Sequence, residues 1–426
     1  MSQVYVPDAA SVGQHLHDVA VAMVERGWHV DVLTAAHGYA DPGVRYPARE
    51  QRDGVNIRRL PWSSFGKSSL LVRLVAGALF MLQAVLRAAF MPRLDVVLVT
   101  TSPPMGGAAG VMLRILRRAP FCFWAMDLNP DQYVALGHAT PGSIPVRVFD
   151  LLNSAVLRNA GAVVALDRFM AARLDAKLDT PATLASRMCV FPPWSHVDDL
   201  REPLPHADNP FREQHGFSDR FVLMYSGNVS PSHPLDTVLH ALSRVQRDEP
   251  RLLFVVISSG PTVDRLRDQA VALGVDIRVM PYQPIEQLRY SLSAADVHLV
   301  AMGDRMVGVV HPCKVYGAMS VGRPMLFVGP VESHIGDLVG GQSLGWQVRH
   351  GDVDAAGRAL REMLASTERE RTAMGRRAQD LLHSRYSRAA GCRQMCDVLE
   401  SLRGAGPGRD RQGPGPASVD NARHAN

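Results

Sequence analysis

The sequence is poor in cysteine and in lysine. Its 426 residues include 5 cysteines, which form neither a Cys-x-x-Cys pair nor a cysteine–histidine spacing typical of zinc. A disulfide scaffold and a zinc module are therefore excluded, and a reducing compartment, the cytoplasm, is favoured. Three lysines, at positions 67, 177 and 314, stand among the 46 basic residues, so nearly all of the positive charge is arginine.

Two further absences narrow the function. No Gly-x-Gly-x-x-Gly follows a predicted strand, which argues against a dinucleotide-dependent oxidoreductase. No basic stripe is interleaved with aromatic residues, so the net charge of +5 does not indicate nucleic acid. That charge fits an anionic small molecule or a membrane surface instead. With 46% apolar and 20% charged residues, the composition is that of a globular protein.

Short apolar runs of strand length alternate with helical patterns in both halves of the chain. Such runs indicate parallel sheets covered on both faces by helices. The two sets of alternating strands and helices predict an α/β protein with two doubly wound, Rossmann-like domains, at 1–195 and 218–375. A proline-rich linker is expected at 196–217, terminal helices at 376–403 and a disordered tail at 404–426.

The segment 70–91 is apolar except for Arg73, Gln83 and Arg87. It is long enough to span a bilayer, but an arginine near the centre of a spanning helix costs about 2.5–3.5 kcal/mol. We therefore expect a helix that lies in the membrane interface or one that is buried against the first sheet. A spanning helix is the least favoured alternative.

The motif Ser11-Val-Gly13-Gln-His15 opens a helix after a short strand. A glycine at this point lets a ligand approach the backbone, and a helix N-terminus attracts anions. A plain tight turn explains the motif equally well. His15 is a candidate catalytic residue, with a structural histidine as the alternative.

Asp127 follows a predicted strand, at the edge where open α/β sheets place ligand chemistry. Its carboxylate could take a proton from an acceptor hydroxyl or orient that acceptor. The alternative is a turn in which the carboxylate only caps backbone N–H groups.

The segment Tyr225-Ser-Gly227-Asn228 repeats the order of strand, glycine loop and helix. Ser230, and His233 if it is protonated, could donate hydrogen bonds to phosphate oxygens there. A Ser/Pro turn with a helix cap is the alternative.

The most specific motif is His311-Pro312-Cys-Lys314, followed by Gly322-Arg-Pro. Pro312 is placed as the first residue of a helix and Gly322 as its stop. Because the helix dipole disfavours a cation in the first turn, Lys314 predicts a bound diphosphate. The alternative is a lysine that faces solvent.

Together these segments resemble glycosyltransferase family 4, the retaining nucleotide-sugar enzymes of the GT-B fold. The resemblance covers about residues 3–386. The Pro-x-Lys segment with Gly-Arg-Pro is similar to the branch that builds bacterial exopolysaccharide and O-antigen units on a lipid carrier, the colanic-acid type. The segments that carry the resemblance are Tyr5-Val-Pro-Asp, Arg26-Gly-Trp-His-Val, Tyr225-Ser-Gly-Asn, Asp296-Val, and the Pro312-Cys-Lys and Gly322-Arg-Pro pieces.

The resemblance implies two domains that face each other across a cleft, with a C-terminal helix that crosses back to the first domain. Asp127 and His15 are the candidate catalytic residues, on the grounds of their positions given above. Most members carry a Glu-x7-Glu pair, but Val309 and Gly317 stand at the matching positions, so the ribose ligand is not identified. The implied donor-binding residues are Gly13, Gly227, Asn228, Ser230, His233, Gly260, Tyr282, His311, Lys314 and Val315.

We therefore expect a hexosyl- or hexosaminyl-type glycosyltransferase with a nucleotide-sugar donor. The acceptor is expected to be a lipid-linked saccharide at the inner face of the cell membrane, in cell-surface polysaccharide or glycolipid synthesis. No Asp-x-Asp motif stands where a metal-dependent transferase would place one, so neither a metal nor another cofactor is expected. A nucleotide-sugar epimerase of the same fold is one alternative. A non-catalytic nucleotide-sugar-binding relative is the other, motivated by the missing glutamates.

Overall fold

The computed structural model describes residues 1–8, 10–38, 43–63, 70–178, 182–196 and 202–403. The predicted tail at 404–426, and residues 197–201 of the predicted linker, lie outside these residues.

The amino-terminal half contains two neighbouring sheets with the strand orders β2-β3-β1 and β4-β5-β6-β7. All pairs are parallel except β2 with β3. The N–H groups of Ser2 and Gln3 bond to Leu33 O and Ser102 O, so the first residues lie between the two sheets. The elements are α1 (Ser11–Glu25), β1 (Asp31–Ala35), β2 (Arg49–Arg52), β3 (Val55–Leu60), α2 (Leu70–Ala89), β4 (Val97–Thr100), α3 (Gly107–Arg117), β5 (Phe121–Trp124), α4 (Asp131–Ala135), α5 (Ile144–Asn159), β6 (Ala162–Ala165), α6 (Arg168–Asp175), α7 (Ala182–Ala185) and β7 (Met188–Val190).

The carboxyl-terminal half is built on one parallel sheet with the strand order β10-β9-β8-β11-β12-β13. Its central strands are buried on both faces, as continuous apolar runs predict. The elements are α8 (Pro210–Gln214), β8 (Phe221–Ser226), α9 (Asp236–Val245), β9 (Leu252–Ile257), α10 (Pro261–Ala272), β10 (Ile277–Met280), α11 (Leu288–Ser293), β11 (Val297–Ala301), α12 (Lys314–Ser320), β12 (Met325–Val328), α13 (His334–Val339), β13 (Gly345–Val348), α14 (Val353–Ala365), α15 (Glu368–Arg385) and α16 (Arg388–Arg403).

The last helix, α16, packs against α1 and β5 of the first half, so the expected crossing back is confirmed. A ring-to-backbone contact fixes this packing. A side chain at Gly391 of α16 would lie 2.2 Å from the Trp194 ring. The two-domain α/β architecture is therefore confirmed, with the terminal helix joining both halves.

Two predicted helix starts differ from the structure, whereas α1 begins at Ser11, where its motif predicts a helix. The helix α12 begins at Lys314, two residues after Pro312, and is 7 residues long. The terminal helices begin at Glu368 rather than 376, because Thr367 and Glu370 form a capping box there.

The apolar segment forms α2, which packs on α3 and on strands β1 and β3. Its buried side includes Phe80 and Val85, whereas Leu82 and Leu86 on the opposite side are 52% and 51% exposed. The helix is therefore half buried on the sheet and half open. In the described part of the chain, no helix is long and apolar enough to cross a membrane.

Candidate active site

Lys314 lies at the start of α12, beside the carboxyl end of β8. Its Nζ donates to the Tyr225 hydroxyl at 2.6 Å and lies 4.2 Å from the centre of that ring. Burial lowers the pKa of Lys314 to about 7, and among the described residues no carboxylate pairs with it. The structure therefore does not favour the alternative of a lysine that faces solvent. Lys314 is a half-buried lysine whose charged form has no carboxylate partner among the described residues.

The loop after β8 packs around this lysine. Gly227 has a φ of 134°, and a side chain there would lie 3.2 Å from Lys314 Cε. Tyr225 donates its hydroxyl hydrogen to Asn228 O at 2.7 Å, which holds the loop over the strand end. A glycine is therefore needed at this position for the lysine to approach the backbone.

Ser230 and His233 also lie at this edge, where Ser230 Oγ is 2.9 Å from His233 Nδ1. Burial and the neighbouring Lys314 hold the pKa of His233 well below its usual value. His233 is therefore neutral near pH 7. The predicted hydrogen bond from a protonated His233 to phosphate oxygens is not supported.

Asp127 faces the same region from the first half, directly after β5. Its side chain is open to the cleft, and its N–H donates to Thr101 Oγ1 at 3.2 Å. Desolvation by the surrounding protein raises the pKa of Asp127 to about 6. The charge of His311 opposes this shift. Among the described residues its carboxylate caps no backbone N–H, so the structure favours a ligand role over the turn-capping alternative.

Cys313 lies where residues from the two halves of the chain come together. Its Sγ donates to His311 O at 3.4 Å, and its thiol also bonds to the Ser11 side chain. Burial and the Asp127 carboxylate raise the pKa of this thiol to about 12. Ser11, Asp127, Cys313 and Lys314 therefore meet in one place, although they are far apart in sequence.

His15 does not face the cleft. It is 1% exposed, and its Nδ1 and Nε2 lie 2.7 and 2.9 Å from Ser11 O and Trp194 O. Burial, followed by the charge of His196, lowers its pKa to about 4. With both ring nitrogens occupied, the structure favours the structural alternative over the catalytic role.

Two other predicted residues serve packing. A side chain at Gly13 would lie 2.9 Å from Tyr5 Cα, and its N–H already bonds to Ala10 O. Val315 is 0% exposed, and its N–H bonds to Pro312 O. Neither residue presents a group to a ligand, so the structure does not support their predicted donor contacts.

Gly260 and Tyr282 follow β9 and β10, at the same sheet edge as Lys314. Gly260 precedes α10 with a φ of 108° and has open space where a side chain would be. Tyr282 is 47% exposed, with its hydroxyl 3.5 Å from Ser258 Oγ. These two residues leave room for a ligand beside the lysine.

His311 is buried between the two halves. Its Nδ1 lies 2.9 Å from Asp167 Oδ2, and its Nε2 lies 2.8 Å from the Tyr316 hydroxyl. That hydroxyl lies 3.0 Å from His334 Nε2. The sequence reasoning missed Asp167, Tyr316 and His334. For Asp167 a signal was available, since an aspartate between a strand and a helix is a typical helix cap.

Within the described ranges, no group of three or more His, Cys, Asp or Glu side chains is placed to hold a metal ion. The expectation that the reaction needs no metal stays a prediction.

Comparisons with known proteins agree with this architecture. Residues 11–194 match the family described as Glycosyl transferase 4-like domain, and residues 208–381 match Glycosyl transferases group 1. The probable glycosyltransferase WbjE of Pseudomonas aeruginosa is 25% identical over 69% of this chain and 71% of its own length. The putative colanic acid biosynthesis glycosyl transferase WcaI of Escherichia coli is 24% identical over 78% of this chain and 83% of its own.

A solved structure shares the fold. HepE from Anabaena, in complex with UDP and glucose, superimposes with a TM-score of 0.69 at 14% identity, covering 93% of this chain and 98% of its own. The two family matches together span both halves of the chain. The chain is a glycosyltransferase with the GT-B fold, and it belongs to glycosyltransferase family 4.

Proposed function

We propose that the chain is a retaining glycosyltransferase that moves a hexosyl or hexosaminyl group from a nucleotide sugar to a lipid-linked acceptor. The observation that carries this proposal is the enclosed Lys314 without a carboxylate partner. A buried cation is costly unless it is paired. The diphosphate of a nucleotide sugar supplies the missing negative charge, and the loop at Gly227 allows close approach to the backbone.

In this reaction, negative charge grows on the diphosphate as the sugar departs. A fixed ammonium at Lys314 stabilises that charge in an enclosed site, where electrostatic interactions are strong. Open space beside Gly260, together with the exposed ring of Tyr282, gives the nucleoside a place at the same edge. Closure of the two domains over the donor excludes water and favours transfer over hydrolysis.

Asp127 is the residue that serves the acceptor. With a pKa of about 6 it is mostly ionised at pH 7, so it can accept a proton from the acceptor hydroxyl or orient that hydroxyl.

The relatives support the class of substrate. WcaI is named for colanic acid biosynthesis, and HepE was solved with UDP and glucose. We infer a role in cell-surface polysaccharide or glycolipid synthesis, with a nucleotide sugar as co-substrate and no cofactor.

An exposed apolar surface on the first domain supports docking at the cytoplasmic membrane face. The helices α2, α3 and α5 lie side by side and expose large apolar side chains. These are Val75, Leu82, Leu86, Met112, Ile115, Leu116, Ile144, Val148 and Leu151, which we call the apolar face. Exposed arginines on the same helices suit anionic lipid head groups. They are Arg87, Arg114, Arg147 and Arg158.

The test is transfer of labelled sugar from a panel of UDP-, GDP- and dTDP-sugars into a bacterial lipid extract. The proposal expects a labelled lipid from one nucleotide class, and no labelled lipid from Asp127→Asn protein. Conversion of the nucleotide sugar without lipid would favour the epimerase alternative. Tight nucleotide-sugar binding with no turnover would favour the non-catalytic relative. The observation behind that alternative is that Val309 and Gly317 stand where most members carry glutamates.

A further inference from the structure

A buried pair of side chains joins the two domains beside the lysine. Asp167 Oδ2, from the end of β6, lies 2.9 Å from His311 Nδ1, and their side chains are 4% and 0% exposed. The partner oxygen, Oδ1, accepts a hydrogen bond from Met170 N at 2.8 Å and caps α6. The two oxygens of Asp167 therefore have separate tasks, one within the first domain and one across the interface.

His311 in turn holds the short turn that leads to Lys314. Its other ring nitrogen lies 2.8 Å from the Tyr316 hydroxyl, and the two rings stack at 9°. Its carbonyl accepts from Cys313 Sγ at 3.4 Å. The His311 ring is thus held from both sides, by α12 of its own domain and by a carboxylate of the other domain.

A backbone hydrogen bond lies close to this pair. Leu128 N, next to Asp127, donates to Val309 O at 2.9 Å. The chain before the turn therefore touches the loop at Leu128, and His311, which directly precedes the turn, contacts Asp167. Domain closure fixes both contacts together, because neither forms without the facing domain.

We propose that Asp167 and His311 are positioning residues, which hold the turn 312–314 in place only when the domains are closed. The ammonium of Lys314 is then presented to a bound diphosphate. The inference rests on the proposed function of Lys314 as the diphosphate ligand. It makes diphosphate binding depend on a residue of the domain that does not bind the donor.

The experiment uses Asp167→Asn, because asparagine still caps a helix well but carries no charge towards His311. The dissociation constants of UDP, GDP and dTDP are measured by titration calorimetry for the wild type, Asp167→Asn, Lys314→Met and the double variant. Asp352→Asn is the matched control, since Asp352 also caps a helix, α14, with one oxygen. Arg168→Ala removes an exposed ion pair to Asp337, also across the interface.

For the nucleotide that binds the wild type, we expect Asp167→Asn to weaken binding about tenfold, which corresponds to one charge-assisted hydrogen bond. Neither control should change affinity more than twofold. In the Lys314→Met background, Asp167→Asn should have no further effect, because the pair acts through that lysine. Equal weakening in both backgrounds, or no weakening in either, overturns the inference.

A measurement without ligand keeps the inference testable if no nucleotide binds, an outcome that would count against the proposed function alone. The rate at which iodoacetamide alkylates Cys313 reports the position of the turn, with the half-buried Cys189 as an internal reference. Peptide-resolved mass spectrometry should show this rate rising several-fold in Asp167→Asn and not in Asp352→Asn. An unchanged rate contradicts a positioning role.

Discussion

Lys314 Nζ donates to the Tyr225 hydroxyl at 2.6 Å and has no carboxylate partner among the residues that the structure describes. A neutral hydroxyl and an aromatic ring compensate only part of the cost of burying an ammonium group. The protein therefore keeps a lysine whose charged form is disfavoured at the carboxyl edge of the second sheet. Such a site is stabilised when an anion arrives.

The first prediction concerns stability against pH without ligand. The pKa of Lys314 is about 7 in the folded protein and 10.5 for an ordinary exposed lysine, so between these values the unfolded chain binds a proton that the folded chain does not. The contribution of Lys314 to stability therefore rises as pH rises through this interval. Denaturation midpoints between pH 7 and 10 should rise in the wild type relative to Lys314→Met. Parallel curves for the two proteins would contradict the burial of this charge.

The second prediction concerns protons on binding. A diphosphate beside Lys314 favours its charged form, so nucleotide binding near pH 8 should take up a proton. Calorimetry in Tris and in HEPES detects this uptake as a difference in apparent enthalpy that follows the buffers' ionisation enthalpies. Lys314→Met should lose the difference. Identical apparent enthalpies in both buffers for the wild type would be inconsistent with this site.

The third prediction concerns Asp127. Asp127→Asn should lower turnover by about 10²–10⁴-fold, as removal of a general base does, and leave nucleotide affinity within about twofold. Because the base works as a carboxylate, wild-type turnover should fall as the pH drops through about 6. Turnover and affinity measured on the same preparation check both statements. A variant with normal turnover would remove Asp127 from the acceptor side.

The fourth prediction separates His15 from catalysis. His15→Leu leaves Trp194 O without its hydrogen-bond donor, and should destabilise the fold by about 1–3 kcal/mol. Turnover per folded molecule should stay within a factor of about two. The control is His29→Leu, since the side chain of His29 is 76% exposed. Urea unfolding and initial rates provide the comparison, and a large loss of turnover in a stable His15→Leu protein would restore the catalytic assignment.

The fifth prediction concerns the apolar face. The double variant Ile115→Glu and Leu151→Glu should lose binding to anionic vesicles in a flotation assay and keep its nucleotide affinity. Both residues are more than two thirds exposed, at 72% and 71%, so the fold should tolerate the change. The matched control is Val271→Glu, because Val271 is 65% exposed on the other domain. Equal loss in the control, or vesicle binding that survives the double variant, would count against this surface.

Continuous apolar strands were predictable from sequence, as β9 and β12 show, because each is an apolar run of strand length that is buried throughout. The edge strand β2 and the neighbouring central strand β3 escaped prediction because both are short and neither is a continuous apolar run. The chemistry of the cleft was partly predictable, because Asp127 and Lys314 each follow a local rule about strand ends or helix starts. The structural role of His15 was not predictable, because its partner Trp194 lies 179 residues away in the sequence. The Asp167–His311 pair, 144 residues apart, likewise leaves no local pattern.

The most direct test of the central claim is a thermal-shift panel with UDP, GDP and dTDP on the wild type, Lys314→Met and Lys177→Met. Lys177 is the matched control because it is a lysine paired with Asp131 at 2.7 Å. Each shift is measured from the variant's own ligand-free midpoint. A ligand at 100 times its dissociation constant adds about 2.7 kcal/mol of stability. We expect one nucleotide class to stabilise the wild type and Lys177→Met, and to have no effect on Lys314→Met. Equal stabilisation of all three proteins would contradict the assignment of Lys314 to the diphosphate.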